Sequence, residues 1–139
     1  MLRIILGVIA GFIGWVIVWV GVEKILIAVL PEWYGAPQLA FQAAVENGPD
    51  ASGFMPETRL LLVHIVIGSI VSVMAGSLAA LTAGENKRTP LVVGCLLMAL
   101  GILKAVMSWQ YVPIWYHVIF TAMLLPMAIV GGKLITAAK

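Results

Sequence analysis

Charged side chains are scarce in this sequence. Only 10% of the 139 residues are Asp, Glu, Lys or Arg, whereas 63% are hydrophobic. Soluble domains have about 25% charged and about 45–50% apolar residues. A water-soluble fold of this length could not bury so much apolar surface. The composition excludes an ordinary soluble domain and predicts a protein that lies within a lipid bilayer.

Cysteine is nearly absent as well. The single thiol, Cys95, lies in the middle of an apolar run, where we expect it to be a small buried packing residue. One cysteine builds neither a disulfide framework nor a thiolate metal site. The sequence contains no phosphate-binding loop, zinc motif or evident nucleophile-and-base constellation, so it favours a role without catalysis. The net charge of +2 gives no basic footprint, and nucleic acid is not expected as a partner.

Long hydrophobic runs dominate what is present. We predict four membrane-spanning helices at about residues 4–30, 59–83, 90–109 and 113–132. About 20 apolar residues cross the hydrocarbon as a helix, and lipid-embedded backbone must satisfy its own hydrogen bonds. Residues 1–139 are therefore expected to form one all-α domain. We predict an integral membrane four-helix bundle with up-down-up-down topology, in contact with the lipid bilayer.

The longest connection between spans is the loop 31–58. It contains Pro37, which is typical of a helix start, and the helix-stopping residues Asn47, Gly48 and Pro49. Apolar residues are spaced between these signals. We predict a short helix at 37–46 that lies on the membrane interface or over the mouth of the bundle.

The basic residues predict the orientation of the chain. One set of helix ends carries most of them: Arg3, Lys87, Arg88, Lys133 and Lys139. The loop 31–58 instead carries mainly carboxylates: Glu32, Glu46, Asp50 and Glu57. Because positive residues are retained on the cytoplasmic side, both termini are predicted to be cytoplasmic and the long loop to be outside.

Small residues recur at helical spacing along the predicted spans. Gly68, Ser72, Gly76 and Ala80 occupy every fourth position of the second span, and such stripes let two helix backbones approach closely. These glycine faces are sufficient to pack one bundle. Any that remain free would serve a membrane-protein partner or a homo-oligomer.

Ionisable side chains within the spans form one candidate site. With the predicted topology, Glu23, His64, Lys104 and His117 all lie in the outer leaflet, where charged groups are costly without partners. The second and fourth helices are expected to face each other diagonally, so that the two histidines can meet across the core. The walls of this polar pocket would be aromatic: Trp109, Tyr111, Trp115 and Tyr116.

Three functions are compatible with this cluster. If its members only satisfy one another, the protein is a non-enzymatic scaffold or accessory subunit, which the sequence favours. If the pocket opens to the outer face, it binds a lipid-like or small amphipathic molecule. If His64 and His117 bind iron between them, the protein is a redox subunit with haem b, or the pair binds another metal. No cofactor is expected otherwise.

Short motifs distributed over the spans carry a resemblance. They are Ala10-Gly11, the sequence AGSLAA at 75–80, Pro90, Gly94, Trp115-Tyr116, Leu125-Pro126 and Gly131-Gly132-Lys133-Leu134. In these the chain resembles an uncharacterised family of small four-span bacterial inner-membrane proteins. The resemblance implies a four-helix fold and a multi-pass location in the bacterial inner (cytoplasmic) membrane, and it implies no activity. Family members usually have proline where this chain has His117, so no role for His117 is carried over.

Overall fold

The computed structural model of the protein describes residues 1–47 and 55–137, so 48–54 of the predicted outer loop and the last two residues lie outside the described part. Regular structure within these ranges is helical. The helices are α1 (Leu2–Val29), α2 (Ala36–Asn47), α3 (Thr58–Ala83), α4 (Arg88–Met107) and α5 (Ile114–Ala137), with a short π-helical turn at Pro31–Gly35 between α1 and α2. The predicted all-α four-helix bundle is confirmed.

Four of these helices are long and apolar enough to cross a membrane: α1, α3, α4 and residues Ile114–Ile135 of α5. Their outward faces expose large aliphatic side chains, such as Ile17 on α1, Val66 on α3 and Val106 on α4. Exposed apolar faces on this scale are expected where lipid takes the place of water. The protein is a multi-pass membrane protein.

Local chemistry determines where the long helices begin and end. Pro31 follows the last residue of α1 and cannot continue its hydrogen-bond ladder. Gly84 ends α3 in the left-handed conformation, with φ 71°, and its N–H donates to the carbonyl of Ala80 at 2.9 Å. Before α4, the Glu85 carboxylate accepts hydrogen bonds from the backbone N–H groups of Lys87 and Arg88 at 3.1 and 2.9 Å. This side chain satisfies donors that the first helical turn leaves unpaired.

The helices α3 and α5 are direct neighbours, which differs from the predicted diagonal arrangement of the second and fourth spans. The most extensive contacts in the bundle join α3 to α5 and α1 to α3. A Cβ built at Gly76 would collide with the backbone of Ala128, and one built at Gly131 would collide with the backbone of Val73. The glycines therefore bring α3 and α5 into backbone contact, which a diagonal pair does not reach.

The first helix packs against α3 through the same device. A Cβ built at Gly7 would lie 2.7 Å from the carbonyl oxygen of Ala79, and one at Gly11 would lie 2.8 Å from that of Ala75. As residue numbers rise along α1 they fall along α3, so the two helices are antiparallel, as up-down topology requires. The thiol of Cys95 is exposed on α4 and not buried as expected, since the packed face of α4 is the one with Val93, Gly94 and Leu97.

The short helix α2 covers one end of the bundle, which we call the α2 end. It corresponds to the helix predicted at 37–46. Its Gln38 bonds to α1, and the ring of its Phe41 lies 6.2 Å from the ring of His64 on α3. The π-helical turn supports it, because Gly35 packs closely on the carbonyl of Ile27. The connection after α1 thus folds back onto the helices it joins.

Candidate functional site

Three of the four predicted site residues meet at the α2 end. Glu23 of α1 and Lys104 of α4 lie within electrostatic reach of each other, and His64 Nε2 lies 3.9 Å from Glu23 Oε1. The Lys104 ammonium lies 5.3 Å from the centroid of the Trp19 ring. Trp19 precedes Glu23 by one helical turn, so both side chains point to the same face of α1. A carboxylate, an ammonium and an aromatic face are therefore grouped between α1, α3 and α4.

The short helix contributes an amide to this group. Gln38 Nε2 donates a hydrogen bond to Glu23 Oε1 at 3.1 Å, and the Gln38 residue is only 3% exposed. Its other polar atom, Oε1, is buried, and no donor from the described ranges 1–47 and 55–137 reaches it. Buried side-chain oxygens normally accept at least one hydrogen bond. Gln38 is therefore both a tether for α2 and an unused acceptor.

His64 is held by the turn that precedes α2. Its Nε2 and the hydroxyl of Tyr34 form a hydrogen bond of 3.1 Å, and both residues are buried. Burial raises the pKa of Tyr34 above its usual value, and the neighbouring Glu23 charge raises it further. The phenol is thus protonated at neutral pH, which allows it to donate to an unprotonated His64 Nε2. This bond fixes the orientation of the imidazole.

A cavity of about 240 Å³ opens between these groups. Polar atoms and aromatic faces share its wall. Its lining consists of Trp19, Glu23, Gln38, Phe41, Gln42, Val45, Glu46, His64 and Lys104. Concave sites lined by apolar and aromatic surface with a few convergent polar groups are typical of small-molecule binding.

His117 is separate from this cavity. Its ring stacks on Trp109, with centroids 5.4 Å apart and planes 8° apart, and it hydrogen-bonds to the backbone at Ser108 and Val112. His64 and His117 share only a second cavity, of about 30 Å³, which Lys104 and other residues also line. The structure therefore groups Glu23, His64 and Lys104, and it directs His117 toward the turn between α4 and α5.

The predicted aromatic walls lie elsewhere. Trp109 and Trp115 are exposed, Tyr111 is buried outside the 240 Å³ cavity, and Tyr116 packs on Phe120 beside the smaller cavity. All four belong to the α4–α5 turn and the start of α5. Because α5 packs on α3 and α4 and has little contact with α1, these side chains do not reach a cavity that α1 and α2 border. Trp19 and Phe41 form its aromatic wall instead.

Sequence reasoning left out Trp19, Tyr34, Gln38 and Phe41 as site residues. A signal existed for Trp19, since a residue four positions before an intramembrane carboxylate shares its helix face. Gln38 and Phe41 are likewise one turn apart on α2. Only the docking of α2, however, determines that they face Glu23 and His64.

The two histidines do not fit an iron bound between them. His64 Nε2 is already bonded to Tyr34, and His117 lies flat against Trp109. The cavity that both line has room for about one or two water molecules and not for a porphyrin. Among the described residues, no group of three or more His, Cys, Asp or Glu side chains is placed to bind a metal ion.

Comparisons with protein-family models, with curated proteins and with solved structures find no match for this chain. Function is therefore argued from the site.

Proposed function

We propose that the protein binds a small amphipathic molecule in the cavity beneath α2. The observation that carries this proposal is Gln38 Oε1, a buried acceptor without a donor among the described residues, in the wall of a cavity of about 240 Å³. An unsatisfied buried polar atom costs about 1–3 kcal/mol. A ligand that donates a hydrogen bond to this oxygen removes that cost, which gives binding a local driving force.

The lining supports an amphipathic ligand. Trp19 and Phe41 offer apolar faces, while Glu23, Gln38 and Lys104 offer charge and hydrogen bonds. These polar groups are tied to one another by the Gln38–Glu23 hydrogen bond and the Lys104–Trp19 contact, so they are held in position before a ligand arrives. Preorganised polar groups lower the cost of binding.

The proposal includes a location and an orientation. The distribution of basic residues supports cytoplasmic termini, and the resemblance to small four-span bacterial proteins supports the bacterial inner membrane. In that orientation α2 and the cavity lie at the outer face. The ligand then enters from the extracytoplasmic side or from the outer leaflet.

A second candidate is a structural polar cluster in a scaffold or accessory subunit. It is favoured by the fact that Gln38 bonds to Glu23, His64 bonds to Tyr34, and Lys104 lies near the Glu23 charge. These bonds dock α2 on the bundle without any ligand. A partner of such a subunit would use surfaces other than the glycine faces, since Gly7, Gly11, Gly68, Gly76, Gly94 and Gly131 meet neighbouring helices of the same chain.

Native purification with a cavity-filling variant separates the two candidates. Val45 lines the cavity, so Val45→Trp fills it. Val66→Trp, on the exposed face of α3, is the matched control. With extraction in native lipid discs and mass spectrometry of small molecules, we expect a compound that copurifies with wild type and Val66→Trp and falls about tenfold or more in Val45→Trp.

Circular dichroism and size-exclusion chromatography report whether both variants fold. If Val45→Trp does not fold, Gln42→Trp introduces bulk from the same wall. A wild-type preparation without any such compound, and without thermal stabilisation by a panel of amphiphiles, would favour the structural cluster and reject ligand binding.

A further inference from the structure

We infer that the ligand of this cavity is a small organic cation, an ammonium compound with an apolar group about the size of one ring. The inference rests on the proposed function and specifies its ligand. It is carried by the charge balance of the lining, by the single unused acceptor, and by the aromatic faces.

The charges that line the cavity are unequal. Two carboxylates, Glu23 and Glu46, stand against one ammonium, Lys104. His64 is engaged by Tyr34, so with a neutral imidazole the lining has one negative charge in excess. A cationic ligand balances this charge, whereas an anion adds to the excess and must lie beside a carboxylate.

The hydrogen-bonding capacity also favours a donor. Gln38 Nε2 is held by Glu23 Oε1 at 3.1 Å. Rotation of the amide by a half turn would bring its oxygen against that carboxylate, so Oε1 stays directed away from Glu23. An ammonium has up to three N–H donors for Oε1 and the carboxylates. A carboxylate or phosphate has none to offer when it is fully ionised.

The aromatic residues are placed for the same chemistry. The Trp19 ring already has a cation at 5.3 Å from its centroid, the Lys104 ammonium, which shows that this wall accommodates positive charge. Phe41 lines the opposite, α2 side of the cavity. Aromatic faces attract cations through the ring quadrupole, most strongly where water is excluded.

The cavity volume limits the ligand. About 240 Å³ equals the liquid volume of roughly eight water molecules at about 30 Å³ each. This space holds one ring with a short ammonium arm. It does not hold a lipid with two acyl chains.

Three probes of nearly equal shape test the charge preference: benzylammonium, benzyl alcohol and benzoate. Each is titrated by calorimetry into protein in nanodiscs of zwitterionic lipid, with empty nanodiscs subtracted. We expect saturable binding of benzylammonium at least about tenfold tighter than that of the other two, since hydrogen bonds to charged groups contribute more than neutral ones. Val45→Trp should abolish the binding.

Glu23→Gln should weaken benzylammonium binding about tenfold. Glu32→Gln is the matched control, because Glu32 is an exposed carboxylate on the π-helical turn outside the lining, and it should leave binding unchanged. If Glu23→Gln does not fold, Gln42→Lys adds a positive charge to the wall, which should weaken benzylammonium and strengthen benzoate.

Each outcome is informative. Equal or tighter binding of benzoate or benzyl alcohol that is lost in Val45→Trp would overturn the cationic ligand while the proposed function stands. Saturable binding of none of the three to wild type would also overturn it. Ligand binding itself is then decided by the copurified compound.

Discussion

Tyr34 and His64 hydrogen-bond at 3.1 Å, although 30 residues separate them in sequence. The bond joins the π-helical turn after α1 to the first half of α3, and both side chains are buried. It is one of the contacts that fold the connection 31–47 back over the bundle. The stability of the α2 end is expected to depend on it.

Tyr34→Phe should therefore destabilise the protein. The substitution preserves the ring but leaves His64 Nε2 buried without its partner, which costs about 1–3 kcal/mol. Unfolding by SDS in mixed micelles, followed by circular dichroism, measures the free energy. A double-mutant cycle with His64→Ala isolates the pair, and we expect a coupling energy of about 1 kcal/mol. Strictly additive effects would show that the two groups do not interact in solution.

Gly76→Ala and Gly21→Ala should change stability in opposite directions. A Cβ at Gly76 would collide with the backbone of Ala128, so α3 and α5 must separate, at a cost of about 1–3 kcal/mol or more. At Gly21 no described atom lies within 4 Å of a built Cβ. There the higher helix propensity of alanine should stabilise by about 0.5–1 kcal/mol. The same SDS titration compares them, and equal effects would contradict the α3–α5 contact.

Ser72→Ala should destabilise the middle of the bundle. The Trp15 indole N–H donates to Ser72 Oγ at 3.1 Å between α1 and α3, and without the hydroxyl this donor is left buried and unpaired, at about 1–3 kcal/mol. Ser69→Ala is the control, because its hydroxyl donates to the Ile65 carbonyl of its own helix at 2.8 Å. A smaller loss is expected there, since the carbonyl can retain its helical bond. A loss at Ser69 as large as that at Ser72 would count against the interhelical bond.

Glu85 should make stability depend on acid pH. Burial raises the pKa of its carboxyl, but the hydrogen bonds from the Thr89 hydroxyl and from the backbone N–H groups of Arg88, Thr89 and Lys87 outweigh burial and lower the pKa to about 2. Because the pKa is lower in the folded state than its ordinary value of 4.5, the ionised carboxylate stabilises the fold above that value. This contribution is lost as the pH falls from about 4.5 to about 2.

Comparison with Glu85→Gln isolates this contribution. The wild-type melting temperature should exceed that of the variant by the largest margin above about pH 5, and the margin should shrink toward about pH 2. Thermal melts in an uncharged detergent measure it. A margin that is constant over this range would show that the carboxylate does not cap α4.

Much of the fold is predictable from this sequence because lipid allows few alternatives. An apolar run of about 20 residues in a membrane satisfies its backbone only as a helix, and the predicted span 59–83 corresponds to α3 at Thr58–Ala83. The predicted span 90–109 ends later than α4. The chain leaves the helix at Met107, where Ser108 N–H bonds to the Lys104 carbonyl before the turn to Pro113.

The order of the helices around the bundle is not predictable in the same way. The stripe of Gly68, Ser72 and Gly76 correctly indicates a packed face. Two different neighbours share it, however, since Ser72 contacts Trp15 of α1 while Gly76 contacts Ala128 of α5. A period of four residues shows that a face is packed and not which helix packs there.

The candidate site could be predicted only in part for a related reason. Glu23, His64 and Lys104 are rare ionisable residues in apolar helices, so they are conspicuous in the sequence. Gln38 is an ordinary polar residue in a polar segment, and its importance comes only from the docking of α2. His117 has the composition of a site residue, but its stacking on Trp109 is a local property of the turn before α5.

The glycine contacts also determine how a solute could travel through the molecule. Backbone contact at Gly7, Gly11, Gly76 and Gly131 seals the half of the bundle that holds the chain termini. A molecule that enters beneath α2 therefore meets a closed floor and leaves by the side from which it came. The chamber is a blind vestibule, and what evolution can tune there is residence time and not passage across the bilayer.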